Sequence, residues 1–372
     1  MADQDWYIIK DIDKLDTPVL VVYPERVQQN IVTAKEMIGD VSRLRPHVKT
    51  YKNREVTQML LDAGITKFKC ATIAEAEMLG MCKAPDVLLA YQPSGPKLGR
   101  FIELILKYPD TNFSCLVDNL VSVLAISDAA VAHPQRPQID IYLDINVGMN
   151  RTGIAGLDEA VELYSECYKL PGINVIGLHA YDGHIRDVDI KARTLHCEQS
   201  YELVKAICVR MEEQGHQPVI IAGGSPTFPI HAMRKHVEAS PGTFVYWDRG
   251  YRSTCPEQDF LPAALVVSRV VSLPTETTIC LDLGHKSIAP ENELGKRVYF
   301  LNAPELKFMG HSEEHLIADA GAGHHYKIGD VLYGLPYHIC PTVALYERAI
   351  TIENNKITGE WLNIARDRKI TI

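Results

Sequence analysis

Four stretches of the chain bring together side chains capable of chemistry. The first is Arg43-Leu44-Arg45-Pro46-His47-Val48-Lys49-Thr50-Tyr51-Lys52, four cations and a histidine around the end of one short apolar run. Lys49 follows Val48, and a lysine that points from such a run into a cavity loses hydration. Its pKa then falls, which suits it to imine formation with a carbonyl. A solvated basic loop is the plainer alternative. The second stretch, Pro218-Val219-Ile220-Ile221-Ala222-Gly223-Gly224-Ser225-Pro226-Thr227, reads as a strand running into a glycine-rich turn. Backbone N–H groups and hydroxyls there can cradle a phosphate, although Gly-Gly after a strand is often a turn and nothing more.

A lysine at one strand end and a phosphate turn at another fit pyridoxal 5′-phosphate, held by an imine at one end and by its phosphate at the other. The third stretch, Asp144-Ile145-Asn146-Val147-Gly148-Met149-Asn150-Arg151-Thr152-Gly153, offers Arg151 to the cofactor's oxygens or to an amino-acid carboxylate. A surface arginine bracing a turn is the alternative. The fourth is Leu335-Pro336-Tyr337-His338-Ile339-Cys340-Pro341-Thr342. In extended chain, residues two apart face the same side, so His338 and Cys340 can grip one ion. An imidazole with a thiolate favours Zn²⁺ over harder cations.

These residues need a scaffold. From about residue 19 to residue 222, short β-branched runs alternate with helical stretches. The runs are Val19–Tyr23, Leu44–Lys49, Lys67–Ala71, Val87–Ala90, Phe113–Val117, Ile139–Ile145, Val175–Ala180 and Pro218–Ala222. Helical periodicity covers Arg54–Ala63, Ile73–Met81, Gly99–Lys107, Leu157–Leu170 and Arg193–Gln214. Strands alternating with helices imply a parallel sheet, and eight strand candidates point to an α/β (β/α)8 barrel. After Tyr246 the texture turns to Val/Ile/Thr-rich runs between Gly, Pro and Asn turns, which reads as an antiparallel β domain. The expected division is a barrel over residues 16–245, with residues 1–15 and 246–372 forming the β domain.

Composition narrows the function. With 38 Lys plus Arg against 47 Asp plus Glu, the net charge of −9 disfavours nucleic-acid and anionic-membrane partners. The acidic start, Met1-Ala2-Asp3-Gln4-Asp5, lacks a signal-peptide layout, and no apolar run is long enough to span a bilayer. Nine scattered cysteines without a Cys-x-x-Cys pair fit reduced thiols in a cytoplasmic protein.

Asp16-Thr17-Pro18, the Arg45-to-Thr50 run, Thr72 with Glu75-Ala76-Glu77, Asp144 to Gly153, Gly177 to His184, Gly223 to Thr227 and His338-Ile339-Cys340-Pro341-Thr342 occur in an order that resembles the D-threonine aldolase and D-serine dehydratase family. That family belongs to the fold-type III, alanine-racemase-like pyridoxal-phosphate enzymes. The resemblance implies a racemase-type barrel, a Schiff base at Lys49, and phosphate contacts from Gly223, Gly224, Ser225 and Thr227. It also implies that Arg151 faces the cofactor and that Tyr246 helps line the site. His338 and Cys340 would hold a divalent metal, Zn²⁺ first and Mn²⁺ or Mg²⁺ as alternatives, beside the substrate's β-hydroxyl. The substrate would be a β-hydroxy D-amino acid, and a homodimer is implied.

Two reactions follow from that resemblance. Retro-aldol cleavage gives glycine and an aldehyde, and elimination gives a 2-oxo acid and ammonia. Gly177-Leu178-His179-Ala180-Tyr181-Asp182-Gly183-His184 looks aldolase-like, with Tyr181 near the cofactor and His184 as base, or His179 in its place. The His-x-Cys pair is more like the dehydratases. An amino-acid racemase has no use for a metal at the β-hydroxyl, and the small non-catalytic pyridoxal-phosphate-binding relatives lack both the β domain and the His-x-Cys run.

Overall fold

The structure, a computed structural model, describes residues 5–372. The chain packs as two units. Ala34–Lys49, Thr57–Gly242 and Asp367–Ile372 form one; Met1–Thr33, Thr50–Val56 and Thr243–Arg366 form the other, of which residues 1–4 lie outside the described part.

Strand β1 (Val19–Val22) precedes seven parallel strands: β2 (Lys67–Cys70), β3 (Asp86–Leu89), β4 (Asn112–Val117), β5 (Ile139–Ile145), β6 (Ile173–Ala180), β7 (Val219–Ala222) and β8 (Val237–Ala239). Strands β2 to β8 pair side by side in chain order. The segment 44–47 then joins the two edges, with Leu44 bridging Ala239 and His47 bridging Lys69. Its bonds run from Arg45 N to Ala239 O (2.9 Å), from His47 N to Pro241 O (2.9 Å) and from Lys69 N to Pro46 O (2.8 Å). Pro46 interrupts the ladder, so the segment closes the ring without being a regular strand. Crossover helices α1 (Pro24–Ile38), α2 (Arg54–Asp62), α3 (Ile73–Met81), α4 (Pro96–Lys107), α5 (Leu120–Ala132), α6 (Leu157–Cys167) and α7 (Ile190–Glu213) separate the strands. Several start on side-chain caps: Thr72 accepts from Glu75 N, Asn119 from Ser122 N and Asp189 from Ala192 N.

One strand expectation is corrected. Val19–Val22 is not the first barrel strand but pairs antiparallel with β9 (Ala264–Ser272) and parallel with the strand Arg348–Glu353. The ring instead ends on β8, a three-residue strand carrying the charged Glu238, too short and too polar to stand out as a buried run. The basic segment 43–52 is not a solvated loop either. Arg43 caps four backbone carbonyls, those of Ile38, Ala232, Arg234 and Val237. Arg45 is fully buried, bonded to both oxygens of Asp86 (2.6 and 2.9 Å) and to Glu238 (2.8 Å). Inside the ring, Leu88, Leu116, Tyr142 and Ile221 form an apolar layer.

The second unit is built on a nine-stranded sheet in which β9, β1 and their neighbours run mostly antiparallel, the β1 pairing with Arg348–Glu353 being parallel. Ile9, Leu15, Val21, Tyr23, Leu265, Val267, Tyr333, Leu335 and Ile352 form its core. Among the described residues, no helix is long and apolar enough to cross a membrane.

Candidate active site

In the barrel unit, Lys49 sits half-buried in a single 3-10 turn, Val48–Thr50, just past the ring-closing segment, with its N–H turned to His47 Nδ1 (3.3 Å). The glycine-rich turn leaves the C-terminal end of β7. Two hydrogen bonds connect the loops: His47 N donates to Pro241 O (2.9 Å), and Gly242 N donates to Ser225 Oγ (3.3 Å). Lysine and turn therefore lie on one end of the barrel, the end where the strands terminate and where barrel sites are built.

The turn is packed closely against its own barrel loops. Gly223 has φ +81° and no room for a side chain, because a Cβ there would fall 2.5 Å from His231. A Cβ on Gly224 would meet the Tyr181 ring at 3.1 Å. Thr227, fully buried, accepts from Gly224 N (3.3 Å) and donates to Asp182 (2.8 Å). Asp182 also accepts from His231 Nε2 (2.8 Å), and Arg234 donates to His231 Nδ1 (2.6 Å). Two residues without side chains, Gly223 and Gly224, beside the buried hydroxyls of Ser225 and Thr227 suit a phosphate, so the residue set fits the implied cofactor.

Tyr181 stands between two cations, Arg151 at 5.0 Å and Lys69 at 5.5 Å from its ring centroid. Asp144 and His179 are register neighbours on β5 and β6, and their side chains bond at 2.7 Å from Asp144 Oδ1 to His179 Nδ1. His179 Nε2 in turn faces Lys69 Nζ at 3.5 Å. Burial, with the Lys69 and Arg151 charges, holds His179 below its ordinary value despite the Asp144 carboxylate. His184 lies in the loop after β6: its ring covers Gly148 in the loop after β5, where a Cβ would come within 2.7 Å of Nε2, and meets His196 edge-on at 5.3 Å. Burial and then His196 lower its pKa too.

Three expected residues belong to the β unit. Tyr246 is fully buried, its hydroxyl accepting from Asn53 (3.1 Å). His338 is about half exposed, with Nδ1 on Glu291 Oε1 (2.5 Å). Burial pulls its pKa down, but the hydrogen bond to Cys340 and its charge, the Asp248 charge and the hydrogen bond to Glu291 outweigh this and push it up to about 9. Cys340 Sγ lies 3.1 Å from Thr50 Oγ1 and 3.7 Å from Thr243 Oγ1. Buried Asp248, its carboxyl pushed up to about 6, accepts from Ile339 N (3.1 Å) and so holds the backbone between the two. Imidazole, thiol and flanking carboxylates form a donor set that fits a borderline-soft divalent ion.

Among the described residues a second group, Asp182, Cys197 and His231, has ligand atoms within 4.8 Å of one another. Here Arg234 approaches Cys197 Sγ (3.7 Å), and burial pushes that thiol up to about 12. A guanidinium and a protonated thiol favour a hydrogen-bonded brace for Thr227 over a cation site.

Sequence reasoning missed Lys69, the Asp144–His179 pair, Asp182 with His231, and Glu291. The available signal was a polar residue at the end of an apolar barrel strand, as in Phe68-Lys69-Cys70 and Leu178-His179-Ala180.

Comparison with known proteins agrees with this geometry. The family model for the alanine racemase N-terminal domain matches residues 22–250, more than half of the chain. The chain belongs to the alanine racemase N-terminal domain family. A model described as a putative serine dehydratase domain matches residues 263–352. A D-threonine aldolase from Arthrobacter sp is 26% identical over 366 residues, 95% of this chain and 93% of that protein. A D-threo-3-hydroxyaspartate dehydratase from Delftia sp. (strain HT23) is 25% identical over 391 residues, 94% and 98% of the two. Among solved structures, D-threonine aldolase from Filomicrobium marinum superposes with a TM-score of 0.87 at 23% identity, over 95% of this chain and 96% of that one. The alanine-racemase-like fold, a parallel barrel sheet with a separate, mostly antiparallel sheet, is thus shared along the whole length.

Proposed function

We propose that the chain is a pyridoxal-phosphate- and metal-dependent lyase of β-hydroxy D-amino acids, of the D-threonine aldolase type. The observation that carries this reading is Lys49 and the Gly223–Thr227 turn on one end of the same barrel, joined through Pro241-Gly242 and Ser225. Bound there, the cofactor supplies a sink for the electron pair released at the substrate's α-carbon, and a divalent ion supplies a Lewis acid for the β-hydroxyl.

Lys49 holds the cofactor's carbonyl carbon. Gly223, Gly224, Ser225 and Thr227 hold its phosphate, with Thr227 fixed by Asp182. Tyr181 and Arg151 flank the ring, and Tyr246 serves as a buried brace behind the loops of its own unit. His338 and Cys340 hold the ion, and Glu291 orients the imidazole through Nδ1, leaving Nε2 to coordinate. The thiolate ligand favours Zn²⁺ over Mn²⁺ or Mg²⁺. His184, kept neutral by burial and by His196, takes the β-hydroxyl proton in the aldolase reaction. Both nitrogens of His179 are already engaged, by Asp144 and Lys69. The protein works as a cytoplasmic homodimer, without nucleic acid or membrane.

The His338-x-Cys340 pair and the match to the serine dehydratase domain favour a second reading, elimination by a D-serine dehydratase type of enzyme. Purified protein supplied with pyridoxal phosphate and Zn²⁺ should release glycine and acetaldehyde from D-threonine. Release of a 2-oxo acid and ammonia from D-serine or D-threonine instead selects the dehydratase. Release of neither, with only exchange at the α-carbon, rejects the lyase reading.

A further inference from the structure

Lys69 has a setting that the proposed reaction does not use. It is the penultimate residue of β2 with 2% of its surface exposed, and among the described residues its side-chain amine has one hydrogen-bonding neighbour, the His179 imidazole at 3.5 Å. No carboxylate among the described residues forms an ion pair with it. A buried ammonium without a carboxylate partner costs several kcal/mol, so a fold retains one only where the group is supported or used.

Its support is specific. Asp144 accepts Nδ1–H from His179 (2.7 Å) and also accepts from Thr152 Oγ1 (2.7 Å). That fixes the tautomer in which His179 Nε2 keeps its lone pair and points it at the lysine. The relay ends at Lys69 Nζ, below the Tyr181 ring, on the strand that the Lys49 segment joins through the His47–Lys69 bridge.

We infer that Lys69 is a second lysine of the cofactor site: its amine faces the bound cofactor beside Lys49 and carries a proton there, with His179 and Asp144 as its supports. This rests on the cofactor assignment proposed above. The surroundings allow the proton to come and go in the neutral range. Burial first, then the Lys49 charge and more weakly Arg45, pull the Lys69 pKa down to about 7, against Asp182 and Asp144, which raise it. Arg151 and His179 are the other titratable groups facing it, and Tyr181 contributes its ring face. Raising the pH through 7 therefore removes a positive charge from the cofactor's immediate neighbourhood.

The test is a pH titration of the visible absorbance of holoprotein, parent against Lys69→Met and Lys69→Arg. Borohydride reduction and peptide mapping in each confirm that the cofactor remains on Lys49. The parent should show a spectral transition between about pH 6 and 8.5. Lys69→Met should lose it, and Lys69→Arg should move it out of the neutral range. A parent without a transition between about pH 6 and 8.5 overturns the inference, as does Lys69→Met titrating like the parent; the first result needs no variant to fold. A parent that binds no cofactor at all overturns the proposed function instead.

Discussion

At Gly223 the backbone conformation and the neighbour act together. The positive φ is one that side-chain-bearing residues rarely adopt, and a methyl would collide with His231, itself pinned between Asp182 and Arg234. Gly223→Ala is expected to weaken cofactor binding at least tenfold, about 1.4 kcal/mol, in a fluorescence titration. Unchanged affinity would remove the turn from the site. At His338 the shift runs upward, to about 9, so in metal-free protein the imidazole is protonated at neutral pH. A raised pKa means that the protonated form is the favoured one in the fold. Its stabilising contribution is complete below the ordinary histidine range, near pH 6.5, and fades as pH rises through 9. Metal binding must displace that proton. Calorimetry at pH 7.5 in buffers of different ionisation enthalpy should then show at least one proton released per Zn²⁺, declining above pH 9. No release at pH 7.5 contradicts the assignment of His338.

At the scale of elements, the ring closes through an irregular segment, and Arg45 is what fastens it. The guanidinium ties the segment to β3 through Asp86 and to β8 through Glu238. Arg45→Met leaves Glu238 buried with Lys67 as its remaining cation among the described residues and should cost about 3 kcal/mol or more in denaturant unfolding. A loss below about 1 kcal/mol would show that the closure does not depend on this cluster. The same segment marks the limit of what the sequence discloses. Helices such as Ile73–Met81 were legible to the residue because a capping Thr72 and apolar spacing agree. Strands β2 to β7 were legible as short apolar runs. What failed was partner choice, since Val19–Val22 has the composition of a barrel strand but pairs with β9, and nothing local distinguishes the two fates. At the site, Lys49, the glycine turn and Arg151 announce themselves through residue type and motif. Lys69, Asp144 and His179 come together only because three separate strands carry them to one place, and that proximity exists in the pairing register rather than in any one stretch of sequence.

At the scale of the molecule, the barrel unit holds Lys49 and the glycine-rich turn, and the other unit holds the His338–Cys340 pair. The chain enters the barrel unit three times, the last with Asp367–Ile372. That tail is anchored on buried Glu77, whose carboxylate accepts from Thr371 N (3.0 Å) and Ile372 N (3.2 Å), while Arg100 holds the Ile372 carbonyl. Removing residues 371 and 372 strips Glu77 of these donors and should lower stability by about 1–3 kcal/mol, visible as a fall in Tm. An unchanged Tm would make the tail an ornament of the barrel. The proposed function depends on where the cofactor is attached. Reduction of the purified holoprotein with borohydride, followed by peptide mass mapping, should find one phosphopyridoxyl adduct, on Lys49, and none in Lys49→Ala. An adduct on another lysine in the parent protein, or no adduct in protein that is otherwise folded, would contradict it.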